Sequence, residues 1–277
     1  MTERLTFEAE PFEGIFGFED TTEQEVIGPD TRQCVRNTTV APFRYICSID
    51  VDNEPYCSGT LIGPATVLTA GHCLDGVAPA DMRVIPGRQG VSEPFGYARA
   101  SAFHIPKDYV EATETDYGII NLESPIGQHV GFWTIDYSRR PGDDRGTSIL
   151  QRRSLPLPPP LKVNIAGYPC DLPAKKSDPC FDSTRDLKGK RQYRAYDETV
   201  RRTRTAPAGP RDILEYKNDT YHCMSGSPVW VKRSPDMGGR VLVAIHISGD
   251  DTGTPGRQNR GIVINSDILS FIRAHLR

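Results

Sequence analysis

Three short stretches hold the side chains that can do chemistry together. Thr69-Ala70-Gly71-His72-Cys73 carries a histidine in a turn of small residues, and Thr115-Asp116-Tyr117-Gly118-Ile119-Ile120 sets an acid at the mouth of an apolar run. Cys223-Met224-Ser225-Gly226-Ser227-Pro228 offers serines in a tight turn that feeds the apolar Val229-Trp230-Val231. A serine hydroxyl is a poor nucleophile until a neighbouring base takes its proton. Imidazole, with an unperturbed pKa of about 6.5, accepts and returns a proton near neutrality. A carboxylate behind it holds the ring in one tautomer and stabilises the imidazolium. Each residue alone has an ordinary structural explanation: a histidine in a turn, an acid starting a strand. In the order His72, Asp116, Ser225, separated by 44 and 109 residues, they suit acyl transfer at a site assembled from two packed halves.

The elements that must position them are short. In 277 residues there are 25 glycines and 23 prolines, which leaves little room for long helices. The composition, 37% hydrophobic and 25% charged, is that of a globular chain with an ample core, and no apolar run reaches the ~20 residues that span a bilayer. Patterning predicts strands at 43–51 and 56–62, flanking an Asp52-Asn53-Glu54-Pro55 turn, then at 66–69, 82–85, 97–105, 117–122 and 130–136. Further strands are expected at 162–166, 212–216, 228–233, 241–247 and 261–264. Ser266-Asp267 reads as the cap of a closing helix with Ile268, Leu269, Ile272 and Leu276 on one face. Residues 138–160, rich in Arg, Pro and Gly, read as a loop or a connection between halves. The basic stretch 171–211 reads as a solvated loop or hairpin; it lacks the aromatic stacking pattern of a nucleic-acid surface. The sum is an all-β barrel or sandwich with one C-terminal helix.

Charge is uneven. Residues 1–25 hold eight acidic side chains and one basic, while the rest hold 28 acidic and 32 basic. That composition fits a disordered acidic arm or a removable pro-segment. Seven cysteines without a C-x-x-C pair lean towards disulfides and an oxidising compartment, although no secretory signal is visible in this sequence. Six scattered histidines form no H-E-x-x-H or similar ligand cluster, so no metal or other cofactor is expected.

Through TAGHC, TDYGII and MSGSPVW the chain resembles the chymotrypsin-like serine endopeptidases, and its likeness is to their bacterial glutamyl branch. VIGPDTR, CSGTLIGPATVLTAGHC, TDYGIINLESPIGQHVGF, IAGYPCD, DTYHCMSGSPVW and VAIHISG carry that resemblance over about residues 26–275. It implies a double six-stranded β-barrel, with barrels at about 26–137 and 160–265, and helix 266–276 closing the chain. His72, Asp116 and Ser225 would sit in the cleft, with the backbone N–H groups of Cys223 and Ser225 as the oxyanion hole. Ser225 rather than Ser227 matches the family's nucleophile. The specificity pocket would be lined by Thr220 and His246, donors suited to an acidic side chain. Asp219 lies near where trypsin-like enzymes carry a pocket carboxylate, but the glutamyl branch also shows DTY there.

Where the family usually has Gly, this chain has Cys170 and Cys223, which implies a disulfide bracing the oxyanion hole. Cys57 and Cys73 form the family's expected pair; Cys34, Cys47 and Cys180 remain, and the odd count leaves a thiol over. Met224 replaces the Asp that receives a freed N-terminus in trypsin-like enzymes. Mature chains of the glutamyl branch begin near VIG, so cleavage at Glu25–Val26 would release the acidic arm. The implied protein is a secreted, monomeric serine endopeptidase acting on proteins or peptides after Glu and then Asp, without nucleic acid or membrane. The alternatives are another specificity on the same fold, or a catalytically impaired relative that binds.

Overall fold

The computed structural model describes residues 26–27, 29–133, 162–171, 178–182, 184–185, 187–204, 212–232, 239–249 and 258–277. The acidic arm with Glu25, and the connection expected at 138–160, lie outside them. The elements in order are β1 (Gln33–Cys34), β2 (Ile46–Val51), β3 (Glu54–Gly63), β4 (Thr66–Thr69), β5 (Met82–Pro86), β6 (Ala98–His104), β7 (Gly118–Leu122) and the single helical turn α1 (Gly127–Val130). After them come β8 (Lys162–Gly167), β9 (Tyr193–Arg204), β10 (Asp212–Tyr216), β11 (Pro228–Lys232), β12 (Arg240–Ser248), β13 (Asn259–Val263) and α2 (Ser266–His275).

Six strands close a barrel in the order β2-β3-β4-β7-β6-β5. A hairpin turn starts it: Asp52 and Asn53 take φ of +52° and +68°, the left-handed pair that short-side-chain Asp and Asn tolerate and that matches strand twist. The second sheet runs β1-β9-β10-β13-β12-β11-β8, and pairing of β8 back onto β9 brings six of its strands into a ring. All pairings are antiparallel, so alternate residues turn inward. Val163, Ile165, Leu214, Tyr216, Met224, Val229 and Val263 pack one core. The other is built on Ile46, Ile49, Leu61, Val67, Leu68, Ile119 and Ile120 and reaches Trp230, a fully buried ring in contact with Phe43 and Trp133.

A polar seam joins the sheets. The Tyr168 hydroxyl donates towards the carbonyls of Ile46 and Arg88, Gln192 Nε2 donates to the Phe43 carbonyl at 3.1 Å, and Arg88 pairs with Asp50 at 2.8 Å. From the end of the second sheet, α2 returns to the first: Phe271 meets Tyr117 edge-on, Asn121 Nδ2 donates to the His275 carbonyl, and Thr66 accepts from the Arg277 N–H. The β7 side of the turn containing Asp116 is thereby backed by α2.

Three expectations change and one open alternative is resolved. Residues 43–45 form a 3-10 turn, and β2 starts only at Ile46. The strand expected at 130–136 is absent from its described part, where α1 ends and Gly131 takes φ of +86°. Of the loop or hairpin expected for the basic stretch, the structure shows the hairpin: the long β9 pairs antiparallel with β10, and on its other edge with β8, because backbone, not side chain, makes the ladder. Asn265, one residue earlier than expected, caps α2 by accepting the N–H groups of Asp267 and Ile268, and Leu276 lies beyond the helix, exposed.

Candidate active site

β4 ends at Thr69 and the chain tightens into a 3-10 turn, Gly71–Cys73, that presents His72. Gly71 has no room for a side chain: a Cβ there would stand 2.8 Å from the Tyr109 ring and 3.1 Å from Asp116 Oδ1. Asp116, on the loop entering β7, is fully buried. Its Oδ2 lies 2.8 Å from His72 Nδ1 and 2.8 Å from the Ala112 N–H, and its Oδ1 accepts the His72 backbone N–H at 2.8 Å. Both oxygens are therefore held, and the imidazole is fixed by ring and backbone at once. The Cys57–Cys73 disulfide ties this turn to β3.

Ser225 stands on the loop before β11, half-buried, whereas Ser227 is fully buried against Gly167. The loop is pressed onto the His72 turn at Gly226, whose φ is +81° and whose missing side chain leaves space for the Ser58 carbonyl, Thr69 Oγ1 and the Ala70 N–H. Cys73 Sγ lies 3.8 Å from the Ser225 carbonyl. Among the described residues no hydrogen bond joins Ser225 Oγ to His72; such bonds often tighten only when substrate arrives.

Four successive carbonyls of that loop are pinned. His222 accepts from the Cys170 N–H at 2.9 Å, Cys223 from Ser58 Oγ at 2.8 Å, Met224 from the Ser227 N–H at 2.9 Å and Ser225 from the Ser58 N–H at 2.9 Å. In a trans peptide the N–H points opposite its carbonyl. Fixing the His222 and Met224 carbonyls thus fixes the N–H directions of Cys223 and Ser225, and among the described residues neither N–H donates inside the protein. Cys223 reaches this geometry at φ of +70°, a region that normally calls for Gly. It is bonded to Cys170, so side-chain crosslink and backbone hydrogen bond hold the same turn.

Thr220 and His246 are both buried. His246 Nδ1 lies 2.8 Å from the Tyr216 hydroxyl, and the His246 backbone brackets the Ser225 loop through Gly226 N–H to its carbonyl and its N–H to Ser227. Burial, with nearby His72 adding to it, pushes the His246 imidazole down to about 3, so it is neutral at neutral pH. Asp219, next to Thr220, is engaged by the segment at 27–31. Its carboxylate accepts the Ile27 N–H, the Thr31 N–H and the Thr31 hydroxyl, at 2.8, 2.7 and 2.5 Å. Burial raises it to about 6 against the pull of those donors. Arg32 adds a clasp, bridging Asp30 and Asp171 over the Tyr221 ring.

Met224 is fully buried in the second core, so its side chain offers a freed amino group no partner. Of the three cysteines left open by sequence, Cys34 bonds Cys180, and Cys47 is a buried thiol whose pKa is pushed up by that burial. Among the described residues, the groups that gather three metal-capable side chains are Cys57–His72–Cys73 and Cys34–Asp178–Cys180; in both the sulfurs are disulfide-bonded, not thiolate. Sequence reading missed Ser58, Tyr216 and the partnership of Asp219 with Ile27 and Thr31. Ser58 lies within CSGTLIGPATVLTAGHC, but a strand serine has no pattern that says which carbonyl it will meet.

The sequence profile of the family described as Trypsin matches residues 33–268. A glutamyl endopeptidase of Bacillus licheniformis is 32% identical over 257 residues, covering 89% of this chain and 67% of that protein. A Bacillus subtilis protein named extracellular metalloprotease is 28% identical over 258 residues, covering 90% of this chain and 68% of its own length. A solved structure described as Glu endopeptidase in complex with MPD superposes with a TM-score of 0.62 at 27% identity, covering 90% of this chain and 98% of that one. With two packed antiparallel sheets, a closed six-stranded barrel and the histidine and serine turns meeting between them, the chain belongs to the trypsin family of serine peptidases.

Proposed function

We propose that the protein is a secreted serine endopeptidase that cuts peptide bonds after Glu, and secondarily after Asp. The observation that carries the peptidase reading is the His72 Nδ1–Asp116 contact of 2.8 Å on a turn pressed against the Ser225 loop. Ser225 Oγ attacks the substrate carbonyl carbon, its proton passes to His72, and the carbonyl's π electrons move onto oxygen. That oxyanion is received by the N–H groups of Cys223 and Ser225. Collapse expels the amine, which takes the proton from His72; water, activated by the same imidazole, then releases the acid from Ser225. The three disulfides favour an oxidising, extracellular setting, and a single chain suffices for the site.

The Glu preference is supported by what lines the loop. A pocket for Lys or Arg needs an available carboxylate, and Asp219 is instead saturated by the segment at Ile27 and Thr31. In the tautomer whose Nδ1 accepts the Tyr216 hydroxyl, the neutral His246 carries its one proton on Nε2, where it can be donated to a substrate carboxylate. Val26 adjoins Ile27, whose N–H is held by Asp219 next to Thr220, so cleavage at Glu25–Val26 would bring a positive amino group to the same neighbourhood. Matched peptides differing only in Glu, Gln or Lys before the scissile bond test this. Preference for Glu over Gln by tenfold or more in kcat/KM supports the reading; equal or better cleavage after Lys overturns it.

A further inference from the structure

Ser58 touches the Ser225 loop more than any sequence pattern indicates. It lies on β3, next to Cys57, whose disulfide reaches the His72 turn. Its hydroxyl accepts the Tyr168 N–H at 2.9 Å and donates to the Cys223 carbonyl at 2.8 Å, while its own N–H donates to the Ser225 carbonyl at 2.9 Å. The residue is fully buried, so water does not stand in for any of the three. A hydroxyl has one proton; here it goes to the carbonyl, because the Tyr168 amide can only donate.

The consequence follows from the order of peptides along the loop. The two N–H groups that converge on an anion belong to the peptides His222–Cys223 and Met224–Ser225. The peptides alternating with them, Cys223–Met224 and Ser225–Gly226, are the two whose carbonyls Ser58 holds. Rotation of the Cys223–Met224 peptide changes ψ of Cys223 and φ of Met224, so releasing its carbonyl obliges the flanking peptides, which carry the Cys223 and Ser225 N–H groups, to readjust around a Cys223 already at a disfavoured φ of +70°. The disulfide to Cys170 restrains the Cys223 side chain but not the far side of its carbonyl. We propose that Ser58 is a positioning residue for the anion site, a clamp from the first barrel that keeps the N–H groups of Cys223 and Ser225 aimed at one oxygen. It touches no substrate and acts through the loop. The inference rests on Ser225 being the nucleophile but not on which side chain precedes the cut bond.

The test compares the unaltered protein with Ser58→Ala and Ser58→Thr, and with Thr60→Val as a control. Thr60 is a buried strand hydroxyl of the same barrel that bonds Tyr45 and Trp133 away from the loop. The readouts are kcat and KM, and the inhibition constant of a peptidyl aldehyde bearing the residue the unaltered protein cuts after best. The aldehyde forms a tetrahedral adduct on serine, so its affinity reports the anion site. Ser58→Ala should lower kcat by roughly 10–100-fold, less than the 10²–10³ of deleting a donor outright, with KM within about threefold. Aldehyde binding should weaken by a similar factor, and Ser58→Thr should restore both. Should Ser58→Ala fail to fold, Ser58→Val against Ser58→Thr makes the same comparison, since they differ by the hydroxyl alone. Unchanged aldehyde affinity in Ser58→Ala, or equal weakening in Thr60→Val, overturns the role. Organophosphonate labelling of Ser225 in the unaltered protein separates the two layers: with labelling present, those outcomes sink Ser58 alone; without it, the nucleophile assignment falls as well.

Discussion

The carboxylate of Asp219 accepts the backbone N–H of Ile27 at 2.8 Å across 192 residues of chain. One residue before Thr220, an acid that in a related pocket would face a basic substrate here fastens the start of the described chain. Asp219→Ala should free that segment. Amide exchange at Ile27 and Thr31 should accelerate by at least about tenfold, and stability should fall by about 1–3 kcal/mol as buried donors lose their acceptor. Unaltered exchange at both amides would show the segment is held elsewhere.

Asp116 holds His72 by ring and by backbone. Asp116→Asn keeps the shape but presents an amide where the imidazole N–H needs an acceptor, so kcat should drop by roughly 10⁴ with the fold retained. Kinetics paired with circular dichroism check this; a loss under tenfold would remove Asp116 from the proton path.

Cys223 sits at φ of +70° and is bonded to Cys170. Cys170→Ala removes the brace and leaves a side chain in a left-handed conformation that costs roughly 1–2 kcal/mol. The variant should lose about tenfold in kcat, and Cys170→Ala with Cys223→Gly should recover most of it, because Gly adopts that φ freely. Equal activity in the single and double variants would mean the strain has no bearing on the site.

His246 is held neutral by burial, with its folded pKa near 3 against about 6.5 when unfolded. The unfolded chain therefore binds a proton that the folded one does not between those values. Stability from this residue is complete above about pH 6.5 and lost as pH falls towards 3, by about 2 kcal/mol at pH 5. Denaturant melts of the protein and His246→Gln at pH 7 and pH 5 should show the larger acid loss in the unaltered protein; parallel losses would contradict the assignment.

Much of this was legible in sequence because its signals are local. Short strands fenced by Gly and Pro, the hairpin at Asp52-Asn53, and the three motifs with His72, Asp116 and Ser225 each declare themselves within a few residues. β9 did not, since its Arg-rich run carries no alternation and is a strand only because β8 and β10 flank it. The α2 cap went to Asn265 because Ser266 already lies within the helix, where its hydroxyl has no free N–H to accept. Ser58, Tyr216 and Asp219 depend on partners 30 to 192 residues away, and no spacing rule reaches that far.

The central claim is tested most directly by mapping the cuts that the protein lacking residues 1–25 makes in a mixed peptide library, beside its Ser225→Ala form. The account predicts cuts concentrated after Glu, fewer after Asp, and a rate lower by roughly 10⁶ in Ser225→Ala. Cuts distributed over Lys or Leu as readily as Glu, or cutting that persists without Ser225, would contradict it.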